Sequence, residues 1–304
     1  VFIEPYLQDL RRDRFAPASV LLYLRRVAGR VREEIDANPG AVRSVWSVAL
    51  GFFALAFVAS AALALRGERP LAAELLVGTS IAIGIAFSLV TMHLGLLRDP
   101  AGYRLSALNV PTALTLLRVA LIPAIVLFLT ERRYALALGA YVLAALSDVA
   151  DGWIARRFGQ ITRLGTVLDP IVDIVFNLSM LAGLRAAGLL AGWVFTLAAV
   201  RYVGLLVGGA WLYVVVGPVR IRPTLFGRLS GVFIASFVAL LTLLHTVRGP
   251  VAERLLTLTE IALGVLLAAT IAHGMGLGWS NLRPRADAAR AQGRVVGDVR
   301  WGPE

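Results

Sequence analysis

From about residue 45 onward the chain alternates long apolar runs with short polar breaks, and the runs are too long for strands. A helix needs about 20 apolar residues, at 1.5 Å each, to cross roughly 30 Å of hydrocarbon. Eight runs meet or approach that length: 45–65, 71–97, 110–130, 134–154, 166–184, 189–216, 227–247 and 255–277. The pattern predicts an all-α integral membrane protein with short connections. Ahead of the runs, Val20, Leu21, Leu24, Val27 and Val31 recur at helical spacing, with Arg25, Arg26, Arg30 and Arg32 between them. Residues 1–43 are therefore expected to form an amphipathic segment on the cytoplasmic face, against anionic lipid. Residues 279–304 mix Pro, Gly, Ala and Arg without apolar periodicity, which predicts a mobile cytoplasmic tail.

Composition agrees with the pattern. Apolar residues make up 58% of the 304 residues and charged residues only 16%, against about 25% charged in a soluble domain. Mean hydropathy is +0.77. So few polar side chains cannot cover a water-facing surface, so lipid must cover it. The net charge of +11 comes entirely from Arg, since the chain has no Lys. Arg is concentrated in the N-terminal segment, in alternate connections and in the tail, which predicts both termini on the cytoplasmic side of a bacterial-type cell or inner membrane. The excess positive charge is assigned to lipid headgroups, with no nucleic-acid partner. No cysteine is present, which excludes disulfides, thiolate catalysis and Cys-ligated metal. No cleavable leader is expected, because the first long apolar run begins only near Val45.

The candidate chemistry lies where polar residues interrupt the apolar runs. Asp148 and Asp151 close the fourth run, and Asp169 and Asp173 open the fifth. An Asp inside a membrane helix costs about 2.5–3.5 kcal/mol on insertion scales. Four close together also repel one another, so something cationic is expected among them. The pairs sit i, i+3 and i, i+4, each on one helix face. A short basic connection folds the two helices antiparallel and brings the pairs together. Four hard carboxylate ligands suit Mg²⁺ or Mn²⁺, as one ion or two. Gly152 and Gly165 leave room for close approach of a ligand. Pro170 leaves the carbonyl of Thr166 without its helical donor.

Read in full, the segment is Asp148-x-x-Asp151-Gly152-x-x-Ala155-Arg156-x8-Gly165-x-x-x-Asp169-x-x-x-Asp173. It resembles the defining motif of the CDP-alcohol phosphatidyltransferase family at all eight specified positions, spread over 26 residues. Upstream, Asn109-Val110-Pro111-Thr112-x-Leu114-Thr115-x-x-Arg118, followed by Pro123, is similar to the first core helix of the phosphatidylglycerophosphate synthase and cardiolipin synthase branch. The resemblance implies a six-helix core over 108–278, preceded by two additional membrane helices over 44–98. It also implies a homodimer with its active site open to the cytoplasm. The activity implied is transfer of a phosphatidyl group from CDP-diacylglycerol to a small alcohol, most simply glycerol 3-phosphate, with release of CMP. Inositol phosphate and phosphatidylglycerol are alternative acceptors. A divalent-metal transporter is the competing class, disfavoured because the acidic cluster occurs once and no internal repeat is visible.

The same resemblance assigns roles. Asp148, Asp151, Asp169 and Asp173 are the expected metal ligands, and Asp173 is the general base. Asp148, Gly152, Ala155, Arg156 and Gly165, with Asn109 and Thr112, are expected at the CDP-lipid. For a phosphorylated acceptor the candidates are the intramembrane Arg118 and Arg201 and the clustered Arg220, Arg222 and Arg228. Two departures bear on the acceptor. Ile174 stands where the synthase branch commonly carries a basic residue, and the branch's Gly-Lys-x-x-Thr element is matched loosely by Gly227-Arg228-Leu229-Ser230.

Overall fold

The computed structural model describes residues 4–13, 15–216, 225–247 and 250–297. Its order is α1 (Glu4–Arg12), α2 (Pro17–Asp36), α3 (Pro39–Leu65), α4 (Arg69–Met92), a 3-10 turn (Leu94–Leu96), α5 (Val110–Thr130), α6 (Tyr134–Arg157), α7 (Arg163–Ala186), α8 (Gly192–Val216), α9 (Leu225–Thr246) and α10 (Pro250–Gly297). No strand occurs among the described residues. Among the described residues, eight helices, α3 to α10, are long and apolar enough to cross a membrane. Proline occupies the first turn of α2, α3, α4 and α5, where its missing N–H costs nothing and its fixed φ suits the helix.

The outer boundaries differ from the apolar pattern in three places. Helix α3 starts at Pro39 rather than at 45, because Asn38 caps it by accepting from the Ala41 N–H at 3.2 Å. Helix α4 stops at Met92 although the apolar run continues to 97. Leu94 and Leu97 turn back into a core shared with Val90, Leu116 and Leu164, and a buried turn reads like more helix in an apolar count. At the far end, α10 runs through Gly297 instead of giving way to a tail at 279. Ala, Arg and Gln are good helix formers, and they continue the helix without an apolar face.

Helix α5 is the hub, packed against α4, α6 and α7. Small residues allow those approaches: Gly78 of α4 faces Pro123 of α5, and Gly183 of α7 faces Val126 and Leu129. The two additional helices thus buttress the helix that lines the acidic cluster. Phe87 of α4, fully buried, meets Phe52 of α3 edge-on. A second core joins α5 to α9 with α10 through Ile125, Leu129, Tyr141, Met180, Leu184, Val194, Ile234, Leu241 and Leu263.

The N-terminal helices fold across the end of the bundle that carries the acidic cluster. Val20, Leu21 and Leu24 of α2 are exposed, as an interfacial helix requires. Leu7 and Leu10 of α1 are buried, and the Arg11 guanidinium donates to the Val214 carbonyl of α8 at 2.7 Å. Glu34 of α2 is the unexpected residue, with its side chain only 3% exposed. It accepts from Arg98 at 3.0 Å and forms ion pairs with Arg104 at 2.9 Å and Arg30 at 3.1 Å. The backbone carbonyl of Arg98 in turn accepts from the Arg163 N–H at the start of α7. Glu34→Gln leaves these guanidinium groups without their shared anion. Burial of the carboxylate argues for a loss of several kcal/mol, and partial exposure of the arginines reduces it to about 1–3 kcal/mol. The expected result is a clearly lower melting temperature in detergent.

Candidate active site

Asp148 and Asp151 project from the last turns of α6, and Asp169 and Asp173 from the first turns of α7. The α6–α7 connection is short because Gly159 takes a left-handed conformation, φ 64°, just after α6 ends. Thr162 then caps α7 by accepting from the Gly165 N–H at 3.0 Å.

Two residues of α5 tie the four carboxylates together. The Arg118 guanidinium donates through Nη1 to Asp173 Oδ1 at 2.5 Å and through Nη2 to Asp151 Oδ2 at 2.9 Å, and its Nη1 forms an ion pair with Asp148 Oδ1 at 2.7 Å. The Thr115 hydroxyl lies 2.9 Å from Asp169 Oδ1 and 3.2 Å from Asp151 Oδ2. It also lies 3.1 Å from the Pro111 carbonyl, so three acceptors share its single proton. All four acidic residues thus belong to one network, centred on a helix that contributes no carboxylate of its own. Arg118 is buried, whereas the side chains of Asp148 and Asp173 are each 53% exposed. The cluster therefore opens outward on the side of Asp148 and Asp173 and is closed behind by α5.

Further residues of the motif adjoin the cluster. A Cβ at Gly152 would lie 3.1 Å from Arg156 Nη1, so glycine lets that guanidinium fold back over its own helix. A Cβ at Gly165 would lie 3.2 Å from Thr162 Oγ1 and 3.5 Å from Thr112 Oγ1. Asn109 donates through Nδ2 to the Gln160 carbonyl at 2.7 Å, joining the start of α5 to the α6–α7 connection. Its Oδ1 and the Thr112 hydroxyl are buried without a hydrogen-bond partner. Buried polar atoms left unpaired are costly, so these two suit a polar ligand that would complete them.

The expected site residues are thus distributed unevenly. The four Asp residues converge, and Asn109, Thr112 and Gly165 gather beside them with Gly152 and Arg156 one helix away. Ala155 is half-buried on α6. Arg118, expected at an acceptor phosphate, is committed to three carboxylates. Arg201 donates to the hydroxyl of its neighbour Tyr202 at 3.1 Å and lies over that ring, 4.8 Å from its centre. Arg220 and Arg222 lie outside the described residues, as does the side chain of Arg228, whose backbone belongs to the first turn of α9. Thr115 belongs to the upstream motif, which assigns it no role. Its place three residues after Thr112 and three before Arg118, on one face of α5, was the signal available.

The donor chemistry suits a hard divalent cation, since one guanidinium among four carboxylates leaves the cluster strongly anionic. Among the described residues no three acidic or His side chains are placed around a single point that an ion could take. Arg118 stands between them.

Comparison with known proteins covers both the site and the helices around it. The family profile described as CDP-alcohol phosphatidyltransferase matches residues 108–272. A CDP-diacylglycerol–glycerol-3-phosphate 3-phosphatidyltransferase of Aquifex aeolicus is 32% identical over 130 residues, 42% of this chain and 72% of that protein. Proteins of the same name from Pectobacterium atrosepticum and Escherichia coli are 52% identical over 68 residues and 48% identical over 69 residues. Each of these two matches spans 21% of this chain and 37% of the relative's length. No solved structure matches.

Proposed function

The chain belongs to the CDP-alcohol phosphatidyltransferase family, and we propose that it transfers a phosphatidyl group from CDP-diacylglycerol to glycerol 3-phosphate, releasing CMP. The observation that carries this reading is the gathering of the four motif carboxylates of α6 and α7 into one network through Arg118 and Thr115 of α5, with Asp148 and Asp173 open to an incoming substrate. The names of the relatives, which specify glycerol 3-phosphate, support this acceptor.

The transfer is a displacement at phosphorus. The acceptor hydroxyl oxygen forms a bond to the lipid-bearing phosphorus, and the bond from that phosphorus to the bridging oxygen breaks. CMP leaves with the electron pair. Asp173, exposed at the mouth of the cluster, takes the hydroxyl proton. Asn109 Oδ1 and the Thr112 hydroxyl offer unpaired acceptor and donor capacity to the nucleotide. Gly165 keeps their approach clear, and Arg156, folded over Gly152, is the residue that would bind a phosphate of the nucleotide. Asp148, Asp151, Asp169 and Asp173 are the residues that would hold Mg²⁺ or Mn²⁺, one ion or two. When bound, the cation neutralises charge on the pyrophosphate and the leaving CMP.

A homodimer, and a cytoplasmic location for the site and both termini, complete the proposal. The second rests on the placement of Arg along the sequence. CMP release from CDP-diacylglycerol by the purified protein, assayed with glycerol 3-phosphate, inositol phosphate or phosphatidylglycerol, tests the acceptor. Release stimulated by glycerol 3-phosphate alone supports the reading. Stimulation by another acceptor reassigns the enzyme within its family, and release with none of them contradicts the proposal.

A further inference from the structure

Arg118 is the cation already inside the acidic cluster. Its side chain is 4% exposed, and its Nη atoms bond to Asp148, Asp151 and Asp173, three of the four carboxylates assigned to a divalent ion. Its Nε is buried without a partner. These carboxylates therefore supply the interactions that offset its desolvation inside a membrane helix. The guanidinium also draws the three carboxylates to itself, and among the described residues no three acidic side chains are placed to hold an ion. A divalent ion at the cluster competes for the same oxygens and is repelled by the guanidinium beside them.

We propose that Arg118 is a positioning residue that acts as an internal counter-cation: it holds Asp148, Asp151 and Asp173 together and, by competing for their oxygens, weakens divalent-cation binding. The role differs from acceptor recognition, because the guanidinium is enclosed by α5, α6 and α7 and reaches the acidic residues first. The reading rests on the proposal that these carboxylates hold the ion. Two consequences separate it from a plain structural role. Removing the guanidinium destabilises the protein while tightening its hold on the cation, and the added cation then replaces the missing charge.

Mn²⁺ binding, read from loss of the free-ion electron paramagnetic resonance signal, is compared for wild type, Arg118→Gln, Arg118→Lys and Asp169→Asn in detergent, alongside melting temperatures in EDTA and in Mn²⁺. The Gln variant is expected to reach half-saturation at a Mn²⁺ concentration at least about tenfold lower than wild type, with the Lys variant between them. It is also expected to melt lower in EDTA and to gain more from Mn²⁺ than wild type does. Equal or weaker Mn²⁺ binding by Arg118→Gln overturns the proposal while leaving the cation site standing. Mn²⁺ binding by none of the proteins, or binding indifferent to Asp169→Asn, overturns the cation reading itself. Should Arg118→Gln not survive extraction in EDTA, recovery in Mn²⁺ supports the proposal, and failure to recover counts against it.

Discussion

Asp173→Asn is expected to reduce CMP formation by roughly 10²–10⁴-fold, the usual contribution of a positioned acid–base group, while CDP-diacylglycerol still binds. The substitution keeps the shape of the side chain and one oxygen for Arg118, so the network that joins α5 to α7 is largely retained. It removes the basic oxygen at the exposed mouth of the cluster, where an acceptor hydroxyl arrives. Single-turnover kinetics separate the two effects, because chemistry slows and nucleotide affinity does not. A variant that loses affinity and rate together would instead make Asp173 part of the substrate's binding surface. Asp148→Asn provides the comparison, since that carboxylate is as exposed as Asp173 and touches the same guanidinium nitrogen.

Stripping divalent cations is the second large effect, and simple electrostatics gives its direction. The pyrophosphate of CDP-diacylglycerol carries two negative charges and must approach four carboxylates compensated by one guanidinium. A single pair of like charges about 4 Å apart costs about 4 kcal/mol at an effective dielectric of 20. That energy corresponds to roughly 10³-fold in rate. Chelation by EDTA is therefore expected to lower CMP formation by at least about 10²-fold, and Mg²⁺ or Mn²⁺ should restore it. Activity that survives exhaustive chelation would mean that Arg118 alone makes the cluster tolerable to the pyrophosphate.

The sequence made the membrane class and the acidic cluster legible for the same reason. Carboxylates are so costly in lipid that their positions in the fourth and fifth runs could not be incidental. Spacing placed each pair on one helix face, and the structure joins the two faces. The partner of those carboxylates was less legible. The apolar surroundings of Arg118 mark it as inward-facing, but periodicity alone does not identify which neighbouring helix it meets. That required the packing of α5 between α6 and α7. Glu34 was hidden differently: it lies on a helix rich in Arg and Glu, and its burial comes from Arg98 and Arg104, more than sixty residues away. Helix ends were the weakest part of the pattern. Leu94 and Leu97 satisfy an apolar count whether they continue a helix or turn back under α5, and residues after 279 carry helix-forming side chains without any apolar stripe.

The most direct measurement follows glycerol 3-phosphate labelled in its carbon skeleton into the lipid phase while CMP is quantified in the aqueous phase. One labelled lipid is expected for each CMP, both dependent on CDP-diacylglycerol and both lost in Asp173→Asn. CMP appearing without labelled lipid would show hydrolysis in place of transfer, and labelled lipid without CMP would contradict the displacement outright.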